Sequence, residues 1–222
     1  MDYYLKKIIM EKFKKEIPFV IISLLPFIYL AVIWNNLPDE IPMHWNGSGE
    51  IDDWGKKIEI IFPLLLISGI GYFTFLIIPS LDPKGNLDKM GNKLHNLRYI
   101  ISVFLTLLAL FIVYSIQMEN SNPKMIFVII GLLFTFLGNY FKTIKPNYFI
   151  GIRTPWTLEN EEVWKKTHLI GGKLWFVGGL LMAMTFVLPN DVQFYTFMGI
   201  TAVISIVPIV YSYLEFKKIK NQ

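Results

Sequence analysis

Two polar stretches hold most of the residues able to do chemistry. In the first, His44, Glu50, Asp52 and Asp53 fall within ten residues. A histidine among carboxylates can ligate a divalent metal or act as a general base. Zinc sites, however, draw on several nitrogen or sulfur ligands at set spacings, and this stretch offers one histidine in a chain without cysteine. No nucleophile elbow, HExxH or Gly-rich phosphate loop accompanies it. The expectation is no catalytic, metal or cofactor site, but an acidic, aromatic surface that recognises a ligand through His44, Trp45, Asn46, Asp52 and Trp54. The two tryptophans would be its apolar anchors at headgroup level. Pro38 and Pro42 predict an extended approach, and Asn46-Gly47 predicts a tight turn at positive φ.

The second stretch, NYFIGIRTPWTLENEEVWKKTHLIGGK, occupies residues 147–173 and begins at Asn147. Within it GIRTPWT joins a flexible Gly151, the guanidinium fork of Arg153, two hydroxyls and the Trp156 indole. Thr154 and Pro155 end any preceding regular structure, since a residue before proline is pushed out of the α region. Asn160 is a good N-cap, with Glu161 and Glu162 in the first helical turn, where the helix dipole favours negative charge. A helix starting there runs without a breaker into an apolar segment. It places Trp164, Thr167, His168, Gly171 and Trp175 on one face. Gly171 with Gly178, and Gly172 with Gly179, repeat at seven residues and suit close helix approach in lipid. A structural account covers Trp164, Trp175 and the lysines as interfacial residues. Arg153, Thr154, Trp156, Thr167 and His168 are chemically more specific than headgroup contact requires.

The elements that position these stretches follow from hydropathy. The chain has 222 residues, 54% of them hydrophobic and 17% charged, with mean hydropathy +0.47. Six windows, near 17–34, 60–79, 99–117, 125–141, 174–189 and 194–215, are apolar enough to cross a bilayer. The first is too long for a signal peptide and lacks a cleavage pattern, so it reads as a retained anchor. Of the 21 basic residues, only Lys56, Lys57 and Lys124 fall on the side opposite the basic N-terminus. Basic flanks resist translocation, so both termini and residues 147–173 are expected in the cytoplasm. The opposite side carries Asp39, Glu40, Glu50, Asp52, Asp53, Glu59, Glu119 and Asp191 and is net negative, which favours approach of a cationic peptide. The basic balance thus reflects topology rather than direct nucleic-acid binding. No window has a charge near its centre, which argues against coupled transport. His95, beside Lys93 and Arg98, reads as a solvated loop residue. The expected architecture is an all-α polytopic membrane protein with six transmembrane helices. Its parts are a basic cytoplasmic tail (1–16), three spans with the outer IPMHWN loop (17–117), and three spans with the cytoplasmic GIRTPWT loop (118–222). The spacing of Trp45 to Trp54-Gly-Lys-Lys is similar to that of Trp156 to Trp164-Lys-Lys, so the halves read either as an inverted repeat or as a chance likeness of interfacial residues.

NYFIGIRTPWTLENEEVWKKTH followed by GGK resembles the signature of the SdpI family of membrane proteins. LPDEIPMHWNGSGEIDDWGKK (37–57) resembles the domain of unknown function that precedes it in many members, with its IPxHWN core, and LDPKGN (81–86) resembles their DP-x-x-N stretch. The resemblance implies a cell-membrane protein giving immunity to a secreted, membrane-active peptide toxin (bacteriocin resistance). It also implies signal transduction by drawing a cytoplasmic ArsR-type repressor to the membrane. The outer loop would sense the peptide, the cytoplasmic motif would change state or meet the partner, and the Gly-rich fifth helix would couple them. The other classes are a membrane enzyme, needing His44 with Asp52 or Asp53, or His168 with Glu161 or Glu162, in one pocket, and an uncoupled transporter or structural module.

Overall fold

The computed structural model describes residues 2–83, 85–118 and 124–221. Lys84 and Glu119, counted in the charge reading, lie outside them, as do the side chains of Lys6, Lys7 and Lys12. The chain runs α1 (Asp2–Ile33), β1 (Glu40–Trp45), β2 (Ile51–Lys56), α2 (Ile61–Leu81), α3 (Asn92–Gln117), α4 (Lys124–Phe141), a short α5 (Pro155–Glu159), α6 (Glu161–Met184) and α7 (Asn190–Lys220). The six long helices are each long and apolar enough to span a membrane, so this is a polytopic six-helix protein. Leu, Ile, Val and Phe side chains are exposed along all of them, as lipid contact requires.

Two features differ from the sequence expectation and one agrees with it. The basic tail is helical and continuous with the first span. The fifth helix starts at Glu161 as the sequence predicts, because Asn160 Oδ1 accepts from the backbone N–H of Glu162 and Val163 and caps it. The third starts at Asn92, so Arg98 is a helix residue, 7% exposed. Its guanidinium forks onto the Glu16 carboxylate of α1, 2.8 Å at Nη1, and lies 3.9 Å from the Phe19 ring centre. The bidentate carboxylate and the aromatic face compensate the buried charge at Nη1 and Nη2, while Nε has no hydrogen-bond partner among the described residues. His95, one turn earlier, is exposed as expected, but on α3 rather than in a loop, with its ring edge-on to Phe19.

Helices α1–α3 share one core. Leu30, Ile33 and Leu37 meet Ile60 and Leu64 of the second span and Ala109, Val113 and Ile116 of α3, and Ile41 of β1 is wholly buried among them. The two strands pair antiparallel, Glu40 with Lys56 through Trp45 with Ile51, with irregular register around His44. Pro42 is tolerated because a two-stranded ribbon leaves one edge of each strand unpaired. The loops thought to mark an inverted repeat fold differently: Trp45 and Trp54 lie on strands, Trp156 and Trp164 on helices. Their shared spacing therefore has no common local structure.

Helices α4 and α6 cross through glycine. A Cβ on Gly172 would sit 2.7 Å from the Gly138 carbonyl oxygen, and one on Gly138 would sit 2.7 Å from the Gly172 oxygen. Gly131 and Gly179 repeat the arrangement one heptad away, the Gly131 oxygen 2.5 Å from a Cβ on Gly179. The other glycine row of α6 faces elsewhere: Gly178 receives Ile204 of α7, and Gly171 receives Ile152 and Pro208.

Gly172→Ala should lower stability by about 1–3 kcal/mol through this overpacking. Gly199→Ala, where a Cβ meets open space, should be neutral or stabilise by about 0.5–1 kcal/mol. Thermal unfolding of the two variants in the same detergent checks the difference; equal effects would remove the crossing as the constraint.

Candidate functional site

The two polar stretches sit at opposite ends of the bundle and are not brought together. At one end the hairpin turns through Asn46–Gly49. Asn46 Oδ1 accepts from the N–H of Ser48 and Glu50 at 2.9 and 3.0 Å, and its backbone N–H donates to the Glu50 carbonyl. The positive φ falls at Gly49 (80°), not at Asn46-Gly47, because the loop is longer than the expected two-residue turn and Asn46 organises it from its first position. His44 Nδ1 lies 2.6 Å from Asp52 Oδ1, with both side chains exposed. Trp54 is 56% exposed on β2, whereas Trp45 is partly buried. The hairpin tip rests on α7: Asn190 Nδ2 donates to the Ser48 carbonyl, and Gly47 lies against the Phe194 ring.

At the other end, residues 142–160 fold back under the glycine crossing, and most polar side chains of the motif are internal. Asn147, 0% exposed, accepts from the N–H of Phe149 and Ile150 (2.8 and 2.7 Å) and donates to the carbonyls of Lys145 and Ile150. Gly151 adopts φ 107°, and a Cβ there would collide with the His168 imidazole. Ile152 N–H then donates to His168 Nε2 at 3.0 Å, while Nδ1 lies 2.9 Å from the Trp164 carbonyl. Accepting at Nε2 and donating at Nδ1 defines a neutral imidazole with both nitrogens used. It does not meet Glu161 or Glu162. Trp164 stacks on it at 4.0 Å and donates from Nε1 to the Ile144 carbonyl.

Thr154 and Thr157 cap α5 reciprocally, and Thr154 Oγ1 lies 3.0 Å from Ser212 Oγ of α7. Thr167 is buried, with no hydrogen-bond partner for its hydroxyl among the described residues. The preceding LDPKGN stretch supports the same fold: Asp82 Oδ2 accepts from the N–H of Asn86 and Leu87, and Asn86 Nδ2 donates to the Pro146 carbonyl.

Two motif residues point outward. Arg153 is exposed, with Nη1 donating to the Tyr148 carbonyl, and Trp156 packs its partly exposed ring against Tyr213 of α7 at 5.0 Å. Nearby, Lys166 bridges Glu162 and Glu215 at 2.7 and 2.6 Å. The α7 residues that complete both ends, Asn190 and Phe194 at one and Ser212, Tyr213 and Glu215 at the other, were not singled out in the sequence. The only signal was polar residues at both ends of an otherwise apolar span.

Residues 143–212 match the SdpI/YfhL protein family, and residues 21–68 match a domain of unknown function, DUF1648. The chain is 28% identical over 212 residues to Immunity protein SdpI of Bacillus subtilis, covering 94% of this chain and 99% of that protein. No solved structure matches it significantly.

Asn147→Ala should cost about 1–3 kcal/mol, since it strips partners from buried backbone groups. Arg153→Ala should stay within about 0.5 kcal/mol of wild type. Denaturation of the detergent-solubilised variants separates scaffold from outward residues, and the reverse order would invalidate that division.

Proposed function

We propose, from the SdpI/YfhL-family domain and the match along nearly the whole length of Immunity protein SdpI, that this chain is a multi-pass cell-membrane protein conferring immunity to a secreted, membrane-active peptide toxin. That match is the observation that carries the reading. The exposed His44–Asp52 pair and Trp54 suit a surface that meets a peptide carrying both charge and apolar groups. In this reading the hairpin faces outward and the GIRTPWT end faces the cytoplasm, as the distribution of lysine and arginine favours.

Signalling to a cytoplasmic repressor of the ArsR type belongs to the same proposal. Arg153 and Trp156 are the motif residues whose side chains a partner can touch, since the others are turned into the fold. The coupling element in this reading is α7 rather than the Gly-rich α6. Helix α7 touches the hairpin tip through Asn190 and Phe194, and the motif through Ser212, Tyr213 and Glu215. Phe194 to Ser212 is about 27 Å of helix at 1.5 Å per residue.

Expression of this chain in a toxin-sensitive bacterial strain should raise survival against at least one of a panel of secreted killing peptides. Arg153→Ala should retain protection but lose reporter output from a co-expressed cognate repressor. Equal survival with and without well-expressed wild type, across the panel, would reject the immunity reading.

The natural absence of cysteine permits a clean orientation test. Asp53→Cys should react with a membrane-impermeant maleimide in intact cells, and Lys142→Cys only after permeabilisation. The opposite pattern would invert the topology.

A further inference from the structure

Beneath the hairpin tip lies a pocket of about 200 Å³. Its apolar walls come from Met43 and Trp45 of β1, Phe127 of α4 and Phe194 of α7, and its polar groups include Lys124 and Gln193. Three separate elements therefore close around one space. Asn190 pins its roof by donating to the Ser48 carbonyl.

Gln193 is the anomalous member. It is 1% exposed, yet its Nε2 has no hydrogen-bond partner among the described residues. Buried amide donors are almost always paired, and an unpaired one opposes folding unless something else takes the bond. The missing group must be an acceptor, and it must arrive with apolar surface to fit these walls. A pocket of this size suits one large side chain rather than a drug-sized molecule, whose sites begin at about 300 Å³. In a peptide, each side chain stands beside a main-chain carbonyl oxygen, which supplies both features together.

We propose that this pocket receives one apolar side chain of an external peptide, whose adjoining main-chain carbonyl accepts a hydrogen bond from Gln193 Nε2. The proposal rests on the immunity reading and gives it a binding site. Occupancy joins the hairpin, α4 and α7, so it acts on the helix that also reaches the motif. His44 and Asn46 border the same space.

The test uses the full chain in phosphatidylcholine nanodiscs, with N-acetyl-phenylalanine amide as probe and thermal unfolding as readout. The probe should raise the wild-type Tm saturably. Gln193→Met keeps the shape and removes the orphan donor, so it should unfold at or above the wild-type Tm without probe and respond at least tenfold more weakly. Gln193→Glu, which exchanges the donor for an acceptor, should also lose the response. A wild type indifferent to the probe, or a Gln193→Met variant that responds as wild type, overturns the proposal. So does a Gln193-dependent shift produced by phosphatidylglycerol discs and not by the probe, which would make the pocket a lipid site. Protection of cells by a wild type that ignores the probe rejects this pocket alone. Probe binding by a wild type that protects against no toxin supports the pocket and rejects the immunity reading alone.

Discussion

The close crossing of α4 and α6 is the constraint on which the rest of the structure depends. Apolar helix faces gain nothing from meeting one another in lipid that they do not already have, so association must come from close packing. Gly131 and Gly138 on one helix, with Gly179 and Gly172 on the other, let carbonyl oxygens of each lie where side chains of the other would stand. This approach sets the position of Phe141 at the end of α4, against both His168 and Trp175 of α6. The chain leaving Phe141 must then turn back beside the helix it has just met. That geometry buries the loop that follows.

Burying irregular backbone near the membrane demands a partner for each polar group, because no water is available to substitute. The polar character of residues 147–168 is largely explained by that demand. Asn147 supplies an acceptor for two N–H groups and donors for two carbonyls, His168 accepts from Ile152, Thr154 and Thr157 close α5, and Trp164 satisfies Ile144. What looks like a catalytic or ligand-binding constellation in one dimension is in three dimensions a turn supported from inside. Arg153 and Trp156 stand apart from it because their side chains leave that interior.

The spans, the Asn160 cap and the α6 glycine rows were legible because each depends on short-range pattern: apolar length, one capping side chain, and small residues at helical spacing. The partner row was not identified, although Gly131 and Gly138 also lie seven apart, because pairing two helices is a tertiary fact that periodicity does not contain. The hairpin is legible only in part: Pro38, Pro42 and Asn46-Gly47 predict an extended approach and a turn, but the charged run at Asp52-Asp53 suppresses the signal of the returning strand, and the ribbon is held by Ile41 in the α1–α3 core. Charge marks span ends, so Arg98 reads as a loop residue in the sequence, yet Glu16 and Phe19 allow it to be buried within a helix. The polar motif was found by composition, but composition cannot tell an inward histidine from an outward arginine.

The packing also bears on which helix can transmit a change. At the glycine crossing the contact between α4 and α6 is backbone against backbone, so displacement of α6 there separates groups that have no side chains to adjust. Contact between α6 and α7 runs instead through side chains, with Ile204 and Pro208 of α7 seated against Gly178 and Gly171, and Trp175 and Lys166 of α6 bonded to the Ile204 carbonyl and to Glu215. Side chains can exchange rotamers or notches where glycine backbones can only part. A ligand shifts an equilibrium only by binding its two states unequally. Helix α7 is the helix that meets the hairpin at one end and the Thr154 and Lys166 contacts at the other, so unequal binding at the hairpin is felt most directly there. Under the proposed coupling, the α4–α6 pair would be the frame against which α7 moves.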